Sequence, residues 1–227
     1  MLSRNIHTPF PARFDKQGGL QKLTAELAVT LLWVVDQLAV SAPRPIGPTS
    51  ADPPIIVFTD GACEDAGVTV GGVLFGPGVV EYFGFVVPDC VVESWKSHAA
   101  QRQTIGQAEL FPVAVARWTW SSILMNRRAI YFIDNEAARL ALVKAYSPVL
   151  QSLKLVQDCL EWDRANLGTP WYARVPSSSN PADDPSRLVH SQYLRALGGV
   201  CVRPIISQEF AIRYDFEWGD LCCMAHS

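Results

Sequence analysis

Two kinds of apolar pattern follow one another along the chain. Near the start, LTAELAVTLLWVVDQLAV (Leu23–Val40) is apolar at most positions but is broken by Glu26 and Asp36. Those charges fall on different faces of a helix, which predicts a packed helix rather than a membrane span. Ser41–Pro54 then holds five prolines, one glycine and no periodicity, and reads as a linker. Beyond it come short, β-branched runs of strand length. PIIVFTD predicts a buried strand over Ile55–Asp60, and VTVGGVLFG and VVEYFGFVV predict a hairpin turning at Pro77–Gly78. TIGQAELFPVAVARWTWSSILM predicts a helix, with Thr104 and Gln107 at capping-box spacing. AIYFID (Ala129–Asp134) repeats the character of the first strand. Two helices follow, the second opening near Pro148, and WYARVP (Trp171–Pro176) is a last strand.

The order β-β-β-α-β-α-α-β implies an antiparallel meander joined to parallel, helix-linked strands. The expected division is an arm, helix and linker over 1–52, an α/β domain over 53–190 and a tail over 191–227. The tail shows no motif, and its Phe and Trp residues are expected to pack on the domain.

Composition narrows the function classes. Hydrophobic residues make up 49% and charged residues 18% of the 227, enough for a sizeable core. The net charge of −3 is not that of a non-specific nucleic-acid binder. Six cysteines show neither C-x-x-C pairs nor zinc-finger spacing, and the N-terminus lacks the apolar region of a signal peptide. Free thiols in an intracellular protein of cytoplasm or nucleus, not secreted and not membrane-bound, are the expectation.

The chemistry lies in the acids. Asp60 and Asp134 each end a strand that is otherwise apolar, and sites in open α/β sheets lie beyond the carboxyl ends of strands. Glu109 sits near the start of the first domain helix, and Asp183 and Asp184 follow the last strand. Each also has an ordinary structural role open to it: a turn at Asp60, a helix cap at Asp134 or Asp183, a first-turn acid at Glu109. Taken together, convergent carboxylates without His or Cys suit hard cations such as Mg²⁺ or Mn²⁺. Four of them can hold two ions about 3.5–4 Å apart.

VFTDGA, QAELFPV, YFIDNEAA and VPSSSNPADDPSR, in that order, resemble the ribonuclease H domain of retroelement reverse transcriptases. The resemblance implies an α/β, ribonuclease H-like, mixed five-stranded sheet. Strands 1–3 would be antiparallel, strands 1, 4 and 5 parallel, with helices on both faces. It implies Asp60, Glu109, Asp134 and Asp183 as catalytic ligands of two Mg²⁺ or Mn²⁺ ions, with Asp184 at a variable position. The implied reaction is endonucleolytic hydrolysis of the RNA strand of an RNA–DNA hybrid, read through its minor groove. A reverse transcriptase polymerase domain is the further partner implied.

The chain departs from the family in three ways. Cellular members carry a histidine in the loop before the last acid, where this chain has Ser177–Asn180. Pro112 falls inside the first domain helix, where it is expected to remove a backbone bond and bend the helix. Residues 1–50 carry no polymerase motif and residues after 190 no integrase pattern, so the chain is read as a piece of a retroelement polyprotein or a stand-alone relic. Lys96, Arg102, Arg127 and Arg128 are candidates for phosphate contacts. Two other functions stay open: a catalytically silent module binding nucleic acid or protein, and an exonuclease on the same sheet.

Overall fold

The computed structural model describes residues 52–64, 67–96 and 104–215, together with Ala28, Leu31, Leu32, Val35, Leu38 and Ala39. The chain divides into two compact units, Met1–Pro48 and Thr49–Ser227. In the first, the described positions are helical, and Leu31, Leu32, Val35 and Leu38 are exposed. The rest of the expected Leu23–Val40 helix and most of the linker lie outside the described residues. No helix among the described residues is long and apolar enough to cross a membrane.

The second unit is built on a six-stranded sheet ordered β5-β4-β1-β2-β3-β6. The strands are β1 (Ile55–Glu64), β2 (Gly67–Gly76), β3 (Val79–Val86), β4 (Arg128–Ile133), β5 (Thr169–Arg174) and β6 (Val200–Cys201). β1, β2 and β3 pair antiparallel, and β1, β4 and β5 pair parallel. This is the mixed sheet, antiparallel through strands 1–3 and parallel through strands 1, 4 and 5, that the sequence implies. A sixth strand adds to the five expected, because two tail residues pair parallel with Glu81 and Tyr82 of β3.

Period-two burial sorts the strand residues onto two faces. Ile55, Val57 and Thr59 of β1 are fully buried on one face. There they meet α2 (Ile105–Thr119) and the core of Phe83, Phe85, Leu110, Phe111, Tyr131 and Ile133. Phe58 turns to the other face, where it stacks on Phe132 with ring centroids 4.8 Å apart. That face is covered by Ala182, Leu188 and Leu194, packed on Val73 and Tyr82.

Several elements differ from the sequence expectation. α1 (Asp89–Lys96) follows β3 and buries Val91, Val92 and Trp95. Its paired valines hide a helix in a strand-like run. α3 (Ser121–Leu124) follows α2 directly, and α4 (Glu136–Lys144) and α5 (Leu150–Ala165) are the two expected helices. α6 (Asp183–Ser186) and α7 (Gln192–Ala196) precede β6. α8 (Gln208–Tyr214) buries Phe210 against Phe111 and Trp118, so the tail up to Asp215 is part of the packed unit. Trp218 lies outside the described residues. Thr104 precedes α2, but its side chain makes no cap; its hydroxyl contacts the Cys63 thiol at 3.8 Å instead.

Candidate functional site

β1 does not end at Asp60, as the sequence suggests, but runs on to Glu64 beside β2. The parallel partner is what ends: β1 and β4 pair only as far as Thr59 opposite Ile133. β4 then turns away at Asp134. Asp60 therefore stands where one neighbouring strand stops, and the residue is 6% exposed.

Two glycines bring the other components to it. Gly61 has no side chain, and a Cβ there would lie 2.4 Å from the Ala108 carbonyl oxygen. The missing atom lets α2 approach β1 closely enough to deliver Glu109, the next residue. Pro112 lies inside α2 without interrupting it. It has no N–H to give to the Ala108 carbonyl, and that carbonyl is the group seated against Gly61. Gly71 of β2 is paired directly across from Asp60, and a Cβ there would lie 2.4 Å from the Ser186 backbone nitrogen. The α6 turn thereby settles onto the face that carries Asp60.

The ordinary roles open to the acids fall to other groups. Asn135, not Asp134, caps α4, its side chain accepting from Ala138 N at 3.0 Å. Glu109 lies beyond the first turn of α2 and is 5% exposed. Asp183 lies in the first turn of α6 and makes no side-chain cap.

Asp60, Glu109 and Asp134 come together: one carboxylate oxygen from each lies within 4.8 Å of the others. Asp183 is not in that group. Its Oδ1 accepts from Arg187 Nε at 3.1 Å, and Arg187 also reaches Glu64 at 2.7 Å. Asp183 still acts on Asp60 through its charge. Asp184 is exposed.

The segment from 177 to 186 frames the cluster with hydrogen bonds that the sequence pattern does not reveal. Asn180 is buried and donates from Nδ2 to the Thr59 carbonyl at 3.1 Å, while its Oδ1 accepts from Ala182 N at 3.2 Å. Ser177 Oγ donates to Asp134 Oδ2 at 2.7 Å, and Ser186 Oγ donates to Asp60 Oδ2. The only sequence signal for these contacts is the density of Ser and Asn around the prolines.

Crowding carboxyls in a buried place raises the proton affinity of Glu109 and Asp60. Burial, followed by the charges of Asp134 and Asp60, pushes Glu109 up to about 9. Burial pushes Asp60 up to about 6; the Ser186 bond opposes the rise and the charges of Asp134 and Asp183 add to it. A side-chain bond between the Glu109 and Asp134 carboxyls, which needs the Glu109 proton, adds to the rise; without that proton, Glu109 Oε2 and Asp134 Oδ1 are buried with no donor. Such groups are costly to leave unmade. A divalent cation would satisfy both oxygens and offset the mutual repulsion. The donors are all hard oxygens, the set that Mg²⁺ and Mn²⁺ prefer.

The phosphate-contact candidates lie elsewhere. Arg127 and Arg128 stand at the start of β4, the far end from Asp134. They donate to the carbonyls of Pro53 and Asp52 at 3.2 and 2.6 Å, and so brace the entry to β1. Lys96 pairs with Glu93 at 2.8 Å. Arg102 lies outside the described residues. A cavity of about 750 Å³ lies between α2 and α4, lined by Gln107, Leu110, Ala141, Lys144 and Tyr146 among others, and by none of the four acids.

No protein-family model and no curated protein sequence matches the chain. Solved structures do. A ribonuclease H1 from the halophilic archaeon Halobacterium salinarum aligns at 18% identity and a TM-score of 0.47, over 60% of this chain and 96% of that one. The N-terminal RNase H domain of a Mycobacterium tuberculosis protein, solved as a fusion with maltose-binding protein, aligns at 15% identity and 0.47, over 59% and 90%. LC11-RNase H1 in complex with an RNA/DNA hybrid aligns at 14% identity and 0.40, over 62% and 99%.

Proposed function

We infer that the chain is a ribonuclease H-like nuclease that hydrolyses the RNA strand of an RNA–DNA hybrid at a divalent metal site. The observation that carries this reading is the Asp60–Glu109–Asp134 cluster, one carboxylate oxygen of each within 4.8 Å of the others at the place where β4 ends. Asp60, Glu109 and Asp134 would hold the metal, and Asp183 would join them on release from Arg187. Bound there, Mg²⁺ or Mn²⁺ supplies the charge that activates a water and stabilises a leaving oxygen, two ions being the usual number for such chemistry. The chain fixes the carboxylates before a cation arrives: β1 and β4 set the spacing of Asp60 and Asp134, and α2 closes the buried side with Glu109. The hybrid as substrate, and an origin in a retroelement reverse transcriptase, rest on the order of the four motifs.

The test is cleavage of a labelled hybrid, circular in one strand to separate internal from terminal cutting. Activity is expected with Mg²⁺ and none in EDTA or in Asp60→Asn, whose circular dichroism should stay that of the parent. Full activity in EDTA would falsify the reading. The pairing of Asp183 with Arg187 is the one observation on the side of a silent module, and hybrid binding without cleavage would support it.

A further inference from the structure

We propose that Ser177 and Ser186 are positioning residues of the acid cluster, each taking one oxygen of one carboxylate and leaving the other oxygen for a divalent cation. This rests on the nuclease reading above and states how its metal site is kept in order. Ser186 donates to Asp60 Oδ2 and Ser177 to Asp134 Oδ2. Both hydroxyls come from one short segment, while Asp60 stands on β1 and Asp134 just past the end of the neighbouring parallel strand β4.

A carboxylate without such a bond can rotate and offer either oxygen. One O–H···O bond to a single oxygen removes that choice. Ser186 has little freedom to move away from Asp60, although the Asp183 carbonyl, 2.8 Å from its hydroxyl, is a second acceptor for its one proton. It is fully buried, its N–H donates to the Ala182 carbonyl at 2.9 Å, and its main chain lies against Gly71, directly across from Asp60. Ser177 is held from the other end of the segment, whose middle is pinned to β1 by Asn180. A serine hydroxyl is a neutral donor, so it orients a carboxylate without competing for the cation as Lys or Arg would. Asp134 Oδ1, the oxygen that Ser177 leaves alone, is buried in the cluster beside the Glu109 carboxyl.

Losing a partner that orients a metal ligand commonly weakens metal binding about 10–100-fold. The experiment is calorimetric titration of the full chain with Mn²⁺, with hybrid cleavage assayed in parallel. Ser177→Ala and Ser186→Ala should each weaken Mn²⁺ binding about tenfold or more. Ser177→Thr keeps a hydroxyl and should restore the affinity. Melting temperatures taken without metal distinguish a merely structural serine, which would lower the Tm and leave Mn²⁺ affinity unchanged. If Ser186→Ala fails to fold, the exposed Ser177 and its Ala and Thr variants carry the test. Parental Mn²⁺ affinity in the alanine variants, with a parent that binds and cleaves, overturns the positioning role alone. A parent that neither binds Mn²⁺ nor cleaves hybrid overturns the nuclease reading and the positioning role with it.

Discussion

Glu109 shows what a buried acid does to a fold. Its carboxyl, raised to about 9 by burial and by its acidic neighbours, keeps its proton at neutral pH in the absence of metal. The unfolded chain releases that proton near the ordinary carboxylate value of about 4.3. The folded state therefore holds the extra proton between the two values, and stability falls as pH rises through that window. Glu109→Gln cannot ionise. In EDTA its stability relative to the parent should begin to rise above pH about 4.3, by up to about 1.4 kcal/mol per pH unit, and level off near pH 9. Urea melts at a series of pH values would show it, and parallel curves would refute the assigned burial. The two adjacent aspartates give a second contrast. Asp183 feels Asp60 and holds Arg187, whereas Asp184 is exposed. Asp183→Asn should lower hybrid cleavage about tenfold or more and Asp184→Asn little, by comparison of initial rates at saturating Mg²⁺. The acids were legible in the sequence because a carboxylate at the end of an apolar run breaks its own pattern. Ser177, Ser186 and Asn180 were not, because their bonds cross long stretches of chain to partners that no local pattern names.

Among elements, strands and helices read well where the burial period was long enough to be seen, as in β2, β3 and α5. The end of β1 was misjudged because a strand end depends on its neighbours: β2 prolongs β1 past the point where β4 leaves it. The two-residue β6 has no period at all and exists by pairing with β3. Close approach between elements was equally hidden, since a glycine in a strand does not say which backbone will press on it. Gly71→Ala tests that approach. A Cβ 2.4 Å from the Ser186 nitrogen must displace the α6 turn, because the colliding atom is main chain. The expected cost is about 1–3 kcal/mol in chemical denaturation. Mn²⁺ binding should weaken as well, because Ser186 moves with the turn. An alanine variant as stable as the parent would mean that the turn is not seated there.

The whole molecule holds α2 in place from behind the site. Arg117, on the same helix as Glu109, is 0% exposed. It makes a two-pronged pair with Asp163 of α5 at 3.0 and 2.9 Å and donates to the Tyr172 hydroxyl of β5 at 2.7 Å. Its guanidinium also lies over the Tyr131 ring of β4, 4.4 Å from the centroid. One side chain thus ties the helix carrying Glu109 to a second helix and two strands. Asp163→Ala strands that cation in the core and should cost about 3–5 kcal/mol, read from the denaturation midpoint. A loss below about 1 kcal/mol would mean that water or another acid takes over.

The bond from Asn180 to Thr59 has a consequence for the order of events when the protein is made. Synthesis runs from the N-terminus, and early segments can organise before later ones exist. Asp60, Glu109 and Asp134 are all in the chain once β4 has been translated. Asn180 and Ser186 emerge later, and their contacts with β1 close loops of more than 100 residues, which on entropic grounds places them late in folding. A nascent chain therefore carries three acids with no clamp until the segment from 177 to 186 docks on β1.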